Sequence, residues 1–350
     1  MATWGEVLRQ VQESAALRGP LGPDLDGIRR DYAKALSDRT GRAVIVYASG
    51  WLTKGGIGGT ALSVEADDVH AMMECCHDVP ERELELIIHS PGGSPEAAEQ
   101  ILNYLRTQFD YIRAFVPLQA KSAATMLALG CDEIVLGLHS ELGPIDPQIL
   151  VPVPEGQRFG AAHAILRDFE RAQRDAGANL NNLAAWTPIL RGYAGGMLDF
   201  CTQVIALSQE VVAGWLENYM LAHADAGIAV RSRKKCARDI AEEFGSEKSY
   251  DRYRTHGRPI RVEALEQIKG LRIRRLEMDD ALQDAVLSIY HALDITFGGP
   301  AIKIVENHLG NRKVRAMQQI QLLQAGLPIP GPGSAAPTPG LSPPSQPPDQ

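Results

Sequence analysis

The sequence predicts an α/β protein with a mostly parallel sheet, followed by a helical C-terminal half. Between about residues 41 and 150, short apolar runs typical of buried strands alternate with helical patterns. Two turns rich in Gly and Ser lie where such a strand gives way to a helix. Repeated β-α units of this kind imply parallel strands joined by right-handed crossovers. A site is then expected at the carboxyl ends of the strands.

The first of these turns contains the sequence Pro-Gly-Gly and reads LIIHSPGGSPEAA over residues 86–98. Gly92 and Gly93 lack a Cβ, so their backbone N–H groups can come close to a ligand. A helix begins directly after them, and unpaired N–H groups at a helix start favour a negatively charged oxygen. The turn therefore predicts an oxyanion hole, with Gly92 or Gly93 as donor.

The second turn reads VPLQAKSAATMLA over residues 116–128 and places Ser122 at the start of a helix. A serine at a strand-to-helix turn beside oxyanion donors is typical of covalent acyl chemistry. We expect Ser122 to be the nucleophile and the N–H of Ala123 to be a second oxyanion donor. The alternative is that Ser122 only caps the helix. Lys121 is adjacent in sequence, and we expect its side chain to point elsewhere.

Four motifs follow one another along the chain: HSPGG at 89–93, KSAA at 121–124, DEIVL at 132–136 and LGPIDPQ at 142–148. Together and in this order they resemble the serine dehydrogenase proteinase family. That family is a distant branch of the Clp-peptidase/crotonase superfamily and is also related to the signal-peptide peptidases. The resemblance implies a Clp/crotonase-like β-α superhelix and a serine endopeptidase.

The resemblance extends to a Thr-His pair that precedes Pro-Ile and a helix, and it implies a triad of Ser122, Asp146 and His256. The relatives commonly carry an acidic residue after this histidine, whereas this chain has Gly257. Taken alone, Asp146 could instead stabilise a turn, and His256 could be an ordinary loop histidine. His89 and Lys54 stay open as alternative bases, because a serine nucleophile needs a base within hydrogen-bond reach.

The composition indicates which binding partners and which cellular compartment to expect. The formal net charge of −8 does not favour binding to nucleic acid, which is typical of basic proteins. Five cysteines, two of them adjacent, suit reduced thiols better than a disulfide framework. No run approaches the ~20 apolar residues that span a bilayer, and the N-terminus lacks the pattern of a signal peptide. We therefore expect a cytoplasmic protein without a membrane span.

Two short segments could be mistaken for metal or nucleotide sites. Near Cys75 and Cys76 lie His70 and His77, but adjacent cysteines rarely chelate one zinc ion and no second ligand pair has the usual spacing. The glycines of residues 55–59 lack the Gly-Lys-Ser/Thr ending of a phosphate loop. We expect neither a metal nor a cofactor.

The C-terminal half is predicted to be helical, with an apolar stripe along 198–224 that is typical of core or a subunit interface. The patterns predict further helices over 279–293 and 301–324, whereas 151–154 is predicted to be an extended linker. We expect a homo-oligomer. The predicted divisions are a helical arm (1–40), a catalytic core (41–150), a helical region completing the site and the assembly (151–325), and a disordered Pro-rich tail (326–350).

The favoured function is a serine peptidase that cleaves peptides or unfolded protein through an acyl-enzyme and, by itself, needs no ATP. A crotonase-type acyl-CoA enzyme is the first alternative, because it uses a similar oxyanion turn without a serine nucleophile. A non-catalytic scaffold of the same fold is the second alternative.

Overall fold

A computed structural model describes residues 3–57, 59–153, 156–193 and 195–317. The predicted Pro-rich tail, 326–350, lies outside the described residues. The strands are β1 (Ala43–Ser49), β2 (Glu83–His89), β3 (Tyr111–Val116), β4 (Gln119–Ala120), β5 (Glu133–Leu136), β6 (Glu141–Leu142), β7 (Gln148–Val153), β8 (Gly156–Ala161), β9 (Ile260–Arg261), β10 (Ile273–Arg275), β11 (Ala301–Asn307) and β12 (Arg312–Ala316).

Helices precede and separate these strands. They are α1 (Trp4–Arg18), α2 (Leu25–Thr40), α3 (Asp68–Cys76), α4 (Pro95–Gln108), α5 (Ala123–Leu129), α6 (Ala162–Ala178), α7 (Leu183–Leu190), α8 (Met197–Asn218), α9 (Arg233–Gly245), α10 (Glu247–Tyr253), α11 (Val262–Leu265) and α12 (Asp280–Phe297). The α/β class and the predominantly helical second half predicted from the sequence are confirmed.

The central sheet has seven strands in the order β10-β5-β3-β2-β1-β11-β12. The five strands from β10 to β1 pair in parallel. β11 and β12 are added antiparallel beyond β1. The prediction of a mostly parallel sheet is therefore correct, and the carboxyl ends of β1, β2, β3 and β5 lie along the same edge.

Helices cover both faces of this sheet. On one face, Leu86 and Ile88 of β2 belong to a core with α3, α4, α5 and α8. On the other face, Ile87 packs with Leu36 of α2 and Leu293 of α12. Because successive side chains of a strand point to opposite faces, the apolar run of β2 is buried on both sides. Such a run is expected of a parallel strand between two helical layers.

Two predictions of local structure are wrong. The segment predicted as a helix over 301–324 forms β11 and β12 in its described part, because β11 pairs with β1 over Ile45↔Asn307 to Ser49↔Lys303. The predicted linker at 151–154 belongs to the β7–β8 hairpin through Val153. In both cases a strand is stabilised by a partner that a local sequence pattern does not reveal.

A buried ion pair anchors the segment between β1 and α3. Lys303 Nζ lies 2.9 Å from Asp68 Oδ2 and also donates to the carbonyl of Ser63. Asp68 Oδ2 accepts the hydroxyl of Tyr47 as well, at 2.6 Å. Burial lowers the pKa of Lys303 and raises that of Tyr47. This pair therefore holds the chain next to Val64, which contacts the Pro-Gly-Gly turn.

Replacing Asp68 by alanine is expected to lower the free energy of unfolding by about 3–5 kcal/mol, because the Lys303 ammonium is left buried without its counter-charge. The matched control is Asp67→Ala. Asp67 is the preceding residue and is 53% exposed beside Lys313, so its loss is expected to cost less than about 1 kcal/mol. Urea unfolding of both variants measures the difference, and equal costs would contradict the assignment.

Candidate active site

A small three-stranded sheet brings the three predicted triad segments to one place. β4 pairs in parallel with β6, and β6 pairs antiparallel with β9. Ser122 follows β4 by two positions, Asp146 follows β6 by four, and His256 precedes β9 by four. Because β9 runs in the opposite direction, all three segments leave the sheet at the same end.

Ser122 lies in a strained turn between β4 and α5. Its backbone has φ +50° and ψ −121°, a combination that L-residues rarely adopt. Its side chain makes no capping hydrogen bond to α5, and in the described part of the chain its Oγ has no hydrogen-bond partner. A strained strand-to-helix turn that presents an unbonded hydroxyl is typical of a nucleophile.

The Pro-Gly-Gly turn packs directly on the Ser122 turn. A Cβ on Gly92, which has φ +91°, would lie 2.4 Å from the carbonyl oxygen of Lys121 and 2.6 Å from Cβ of Ser122. Only glycine therefore permits this approach. The N–H of Gly92 donates to Ser90 Oγ at 3.2 Å. Among the residues described, the N–H groups of Gly93 and Ala123 have no acceptor.

Backbone hydrogen bonds fix the two turns relative to each other. The N–H of Ser90 donates to the carbonyl of Gln119 at 3.1 Å, and the N–H of Lys121 donates to the carbonyl of Ser90 at 3.0 Å. On the other side, the N–H of Val64 donates to the carbonyl of Gly92 at 2.7 Å. Two unpaired donors are thus held on a rigid frame, which is what an oxyanion hole requires.

Asp146 and His256 form a hydrogen-bonded pair. Nδ1 of His256 lies 2.8 Å from Oδ1 of Asp146, whose side chain is 2% exposed. The second carboxylate oxygen of Asp146 accepts from Nε2 of Gln148 at 2.8 Å. The described structure contains no hydrogen bond between Ser122 and His256. The imidazole is a quarter exposed, and its Nε2 makes no hydrogen bond to the described residues.

The two alternative bases, His89 and Lys54, make contacts with residues other than Ser122. His89 ends β2 and its ring packs edge-on against Tyr290 of α12, at 5.2 Å between ring centroids. Burial lowers the pKa of His89 to about 4. Nζ of Lys54 donates to the carbonyl of Gly299 at 2.6 Å. Over the described ranges, neither side chain is hydrogen-bonded to Ser122.

Lys121 is turned away from the serine, as predicted. Its Nζ lies 2.6 Å from Oε1 of Glu141 and 3.3 Å from the carbonyl of Leu142, both in β6. The lysine therefore joins the Ser122 turn to β6 of the small sheet.

Sequence reasoning missed two contributions to this site. Gln148 belongs to the Gly-Pro-Ile-Asp-Pro-Gln motif without a predicted role, and the structure places its amide on Asp146. The C-terminal end of α9 also supports the segment that carries Asp146, since the N–H of Ile145 donates to the carbonyl of Phe244 at 3.0 Å. The motif signals the first of these contacts. No local pattern signals the second, which joins segments about a hundred residues apart.

The adjacent cysteines, which the sequence disfavours as metal ligands, are buried thiols. Burial raises the pKa of Cys75 well above its usual value and raises that of Cys76 to about 12. Metal binding needs thiolates. Within the described ranges, no three His, Cys, Asp or Glu side chains are grouped as metal ligands, and no helix there is both long and apolar enough to cross a bilayer.

Two proteins of Methanocaldococcus jannaschii, both named as uncharacterized, resemble parts of this chain. One is 34% identical over 87 residues, which make up 25% of this chain and 30% of that protein. The other is 39% identical over 66 residues, 19% of this chain and 23% of that protein. The chain therefore matches less than a third of the length of these curated relatives.

Solved structures similar to this chain include two mutants of one protease and a probable enoyl-CoA hydratase/isomerase. A serine-to-alanine mutant of the 1510-N membrane-bound stomatin-specific protease is 11% identical, with a TM-score of 0.27 over 61% of this chain and 92% of that one. A lysine-to-alanine mutant of that protease, in complex with a substrate peptide, is 12% identical, with a TM-score of 0.28 over 65% and 93%. A probable enoyl-CoA hydratase/isomerase from Mycobacterium abscessus is 12% identical, with a TM-score of 0.30 over 69% and 66%.

A family model covers the segment in which the predicted motifs lie. Residues 56–175, about a third of the chain, match the model described as ClpP-like SDH-type serine proteinase. The matched segment contains the Pro-Gly-Gly turn, Ser122 and Asp146, whereas His256 lies beyond it. The resemblance predicted from the motifs is thereby confirmed: residues 56–175 are similar to the ClpP-like SDH-type serine proteinases.

Proposed function

We propose that this protein is a serine peptidase in which Ser122, Asp146 and His256 form the catalytic triad. The observation that carries the proposal is the β4–β6–β9 sheet, which gathers the three segments at one end. The hydrogen-bonded Asp146–His256 pair and the strained Ser122 turn support it. The proposed catalytic core is the predicted segment 41–150, completed by His256 from the following helical region.

In the proposed acylation step, Ser122 Oγ attacks the carbonyl carbon of the scissile peptide while Nε2 of His256 takes the hydroxyl proton. Asp146 keeps the Nδ1 proton in place and stabilises the imidazolium. The C–N bond then breaks, and His256 returns the proton to the leaving amine. The Ser122–His256 hydrogen bond is expected to form in the substrate complex, since such bonds often tighten only there.

The developing oxyanion is proposed to bind the N–H groups of Gly93 and Ala123, because the N–H of Gly92 already donates to Ser90. In deacylation, water attacks the ester carbonyl carbon and gives a proton to His256, which passes it to Ser122 Oγ as the ester bond breaks. This cycle uses only side chains, backbone amides and water, so no cofactor is included in the proposal.

The proposed substrates are peptides or unfolded protein segments, and the proposed setting is a cytoplasmic homo-oligomer. Exposed apolar side chains in the helical region, including Leu180 and Phe200, support assembly through that region. These exposed surfaces support the proposed homo-oligomer, and the composition supports the proposed cytoplasmic setting.

Treatment with a fluorophosphonate probe tests the proposal. We expect intact-mass measurement to show one adduct per chain, peptide mapping to place it on Ser122, and Ser122→Ala to remain unlabelled. The reaction replaces the leaving group on phosphorus with the Ser122 oxygen, which requires an activated hydroxyl. Thioester turnover without labelling would favour the crotonase alternative. A Ser122→Ala protein that keeps peptidase activity would contradict the proposed nucleophile.

A further inference from the structure

The Gly-Pro-Ile-Asp-Pro-Gln motif ends in a glutamine to which the proposed mechanism gives no task. Gln148 is the first residue of β7 and pairs with Ala161 of β8. Its amide nitrogen lies 2.8 Å from Oδ2 of Asp146. A carboxylate only accepts hydrogen bonds, so the amide nitrogen, rather than its oxygen, faces Asp146.

We propose that Gln148 is a positioning residue that holds the Asp146 carboxylate in the orientation that His256 requires. This inference rests on the proposed triad. The backbone around the carboxylate is already fixed, because the N–H of Ile145 donates to Phe244 and the N–H of Ala162 donates to the carbonyl of Pro147. What those bonds leave undetermined is the rotation of the carboxylate itself.

That rotation has little intrinsic preference, since the terminal torsion of an aspartate is broad and roughly two-fold. Oδ1 must point at Nδ1 of His256 to select the tautomer with Nε2 free for the serine proton. One hydrogen bond to each oxygen fixes the carboxylate plane. In the described structure, Gln148 is the side chain that donates to Oδ2.

The type of donor matters as much as its position. Asp146 is almost fully buried, so an oxygen without a donor would cost free energy. An arginine or lysine at this place would satisfy the oxygen but would also compensate its charge. The neutral amide of Gln148 satisfies Oδ2 while leaving the negative charge of Asp146 to stabilise the imidazolium of His256.

The test compares Gln148→Leu, Gln148→Glu and a matched control, Gln157→Leu. Gln157 lies on β8 of the same hairpin and is exposed. We expect Gln148→Leu to slow fluorophosphonate labelling of Ser122 by about 10–100-fold, the range typical of lost supporting hydrogen bonds in metal sites. In peptide hydrolysis, we expect Gln148→Leu to lower kcat and to leave KM nearly unchanged. Gln157→Leu is expected to behave as wild type in both assays.

Gln148→Glu separates hydrogen-bond donation from side-chain packing, because it keeps the shape of the glutamine. Near pH 8 the new carboxylate repels Asp146 and the variant is expected to be slow. At lower pH it takes up a proton beside the like charge and donates to Oδ2 again. We therefore expect its labelling rate, relative to wild type at the same pH, to rise as the pH falls towards about 5.5.

A second measurement does not depend on activity. In a Ser122→Ala background, the Nδ1 proton of His256 is expected to give a downfield NMR signal, assigned by its absence in His256→Ala. Gln148→Leu is expected to shift or broaden that signal, and Gln157→Leu to leave it in place. An unchanged signal with wild-type labelling in Gln148→Leu overturns the inference. A wild-type protein that is not labelled overturns the proposed peptidase instead.

Discussion

Replacing His256 by alanine is expected to lower kcat/KM for peptide hydrolysis by about 10⁴–10⁶-fold, with the protein remaining folded. The serine hydroxyl is a weak nucleophile without a base, and removing the histidine of a comparable triad costs nearly as much as removing the whole triad. His256 lies in a partly exposed loop before β9, so its truncation leaves the core intact. Peptide turnover and thermal unfolding of the variant measure the two expectations.

The chain contains a matched control for this experiment, a second His-Asp pair. Nε2 of His223 lies 2.7 Å from Oδ1 of Asp132. Asp132 directly precedes β5, so this pair lies at the amino end of a parallel strand, opposite the edge that carries the candidate site. His223→Ala is therefore expected to retain wild-type turnover in the folded protein.

Comparing His256→Ala with variants of Lys54 and His89 distinguishes the three candidate bases. If His256→Ala keeps activity within about tenfold of wild type and Lys54→Met does not, the base is Lys54 and the proposed triad is wrong. His89→Gln tests the remaining alternative. We expect His89 to act poorly as a base even if it reaches the serine, because burial holds its pKa at about 4 and a general base works best with a pKa near the operating pH.

The parallel strands of the main sheet, the Pro-Gly-Gly turn and the Ser122 turn could be predicted because each has a recognisable local sequence pattern. The buried run before Gly92 and the small residues after Ser122 each carry their own pattern over about ten residues. The seven-stranded order could be predicted only as far as the β-α repeats extend. The sequence of β11 is predicted to be a helix because it does not alternate regularly between polar and apolar residues, the pattern that identifies a half-buried strand. All seven residues of β11 are buried, so such alternation is not required of it.

The geometry of the candidate site depends on pairings that no local pattern contains. β4, β6 and β9 are two residues long each, and they are strands only because they pair with one another. Their register, Ala120↔Leu142↔Ile260, joins segments up to about 140 residues apart. From the sequence, a motif resemblance could name Asp146 and His256, but their 2.8 Å contact needed the folded chain.

Substituting valine for Gly93 is expected to abolish peptide hydrolysis while the protein stays folded. A Cβ at this position would lie 2.3 Å from the carbonyl oxygen of Val64 and 2.5 Å from its nitrogen. Those are backbone atoms and cannot swing aside, so the turn must move and carry the Gly93 N–H away from the site. Losing one oxyanion donor typically costs about 10²–10³ in rate, and displacing the turn also disturbs its contact with Ser122.

Folding is expected to survive because Gly93 is exposed, so the turn can shift outwards without opening the core. Gly177→Val is the control, since Gly177 is exposed in α6 and a Cβ there meets no atom within 4 Å. Circular dichroism establishes that both variants are folded, and peptide turnover distinguishes them. Because the substitution leaves the Ser122 hydroxyl and the Asp146–His256 pair chemically intact, a folded but inactive Gly93→Val protein would locate the defect in the Pro-Gly-Gly turn. Wild-type turnover in that folded variant would remove the Pro-Gly-Gly turn from the mechanism.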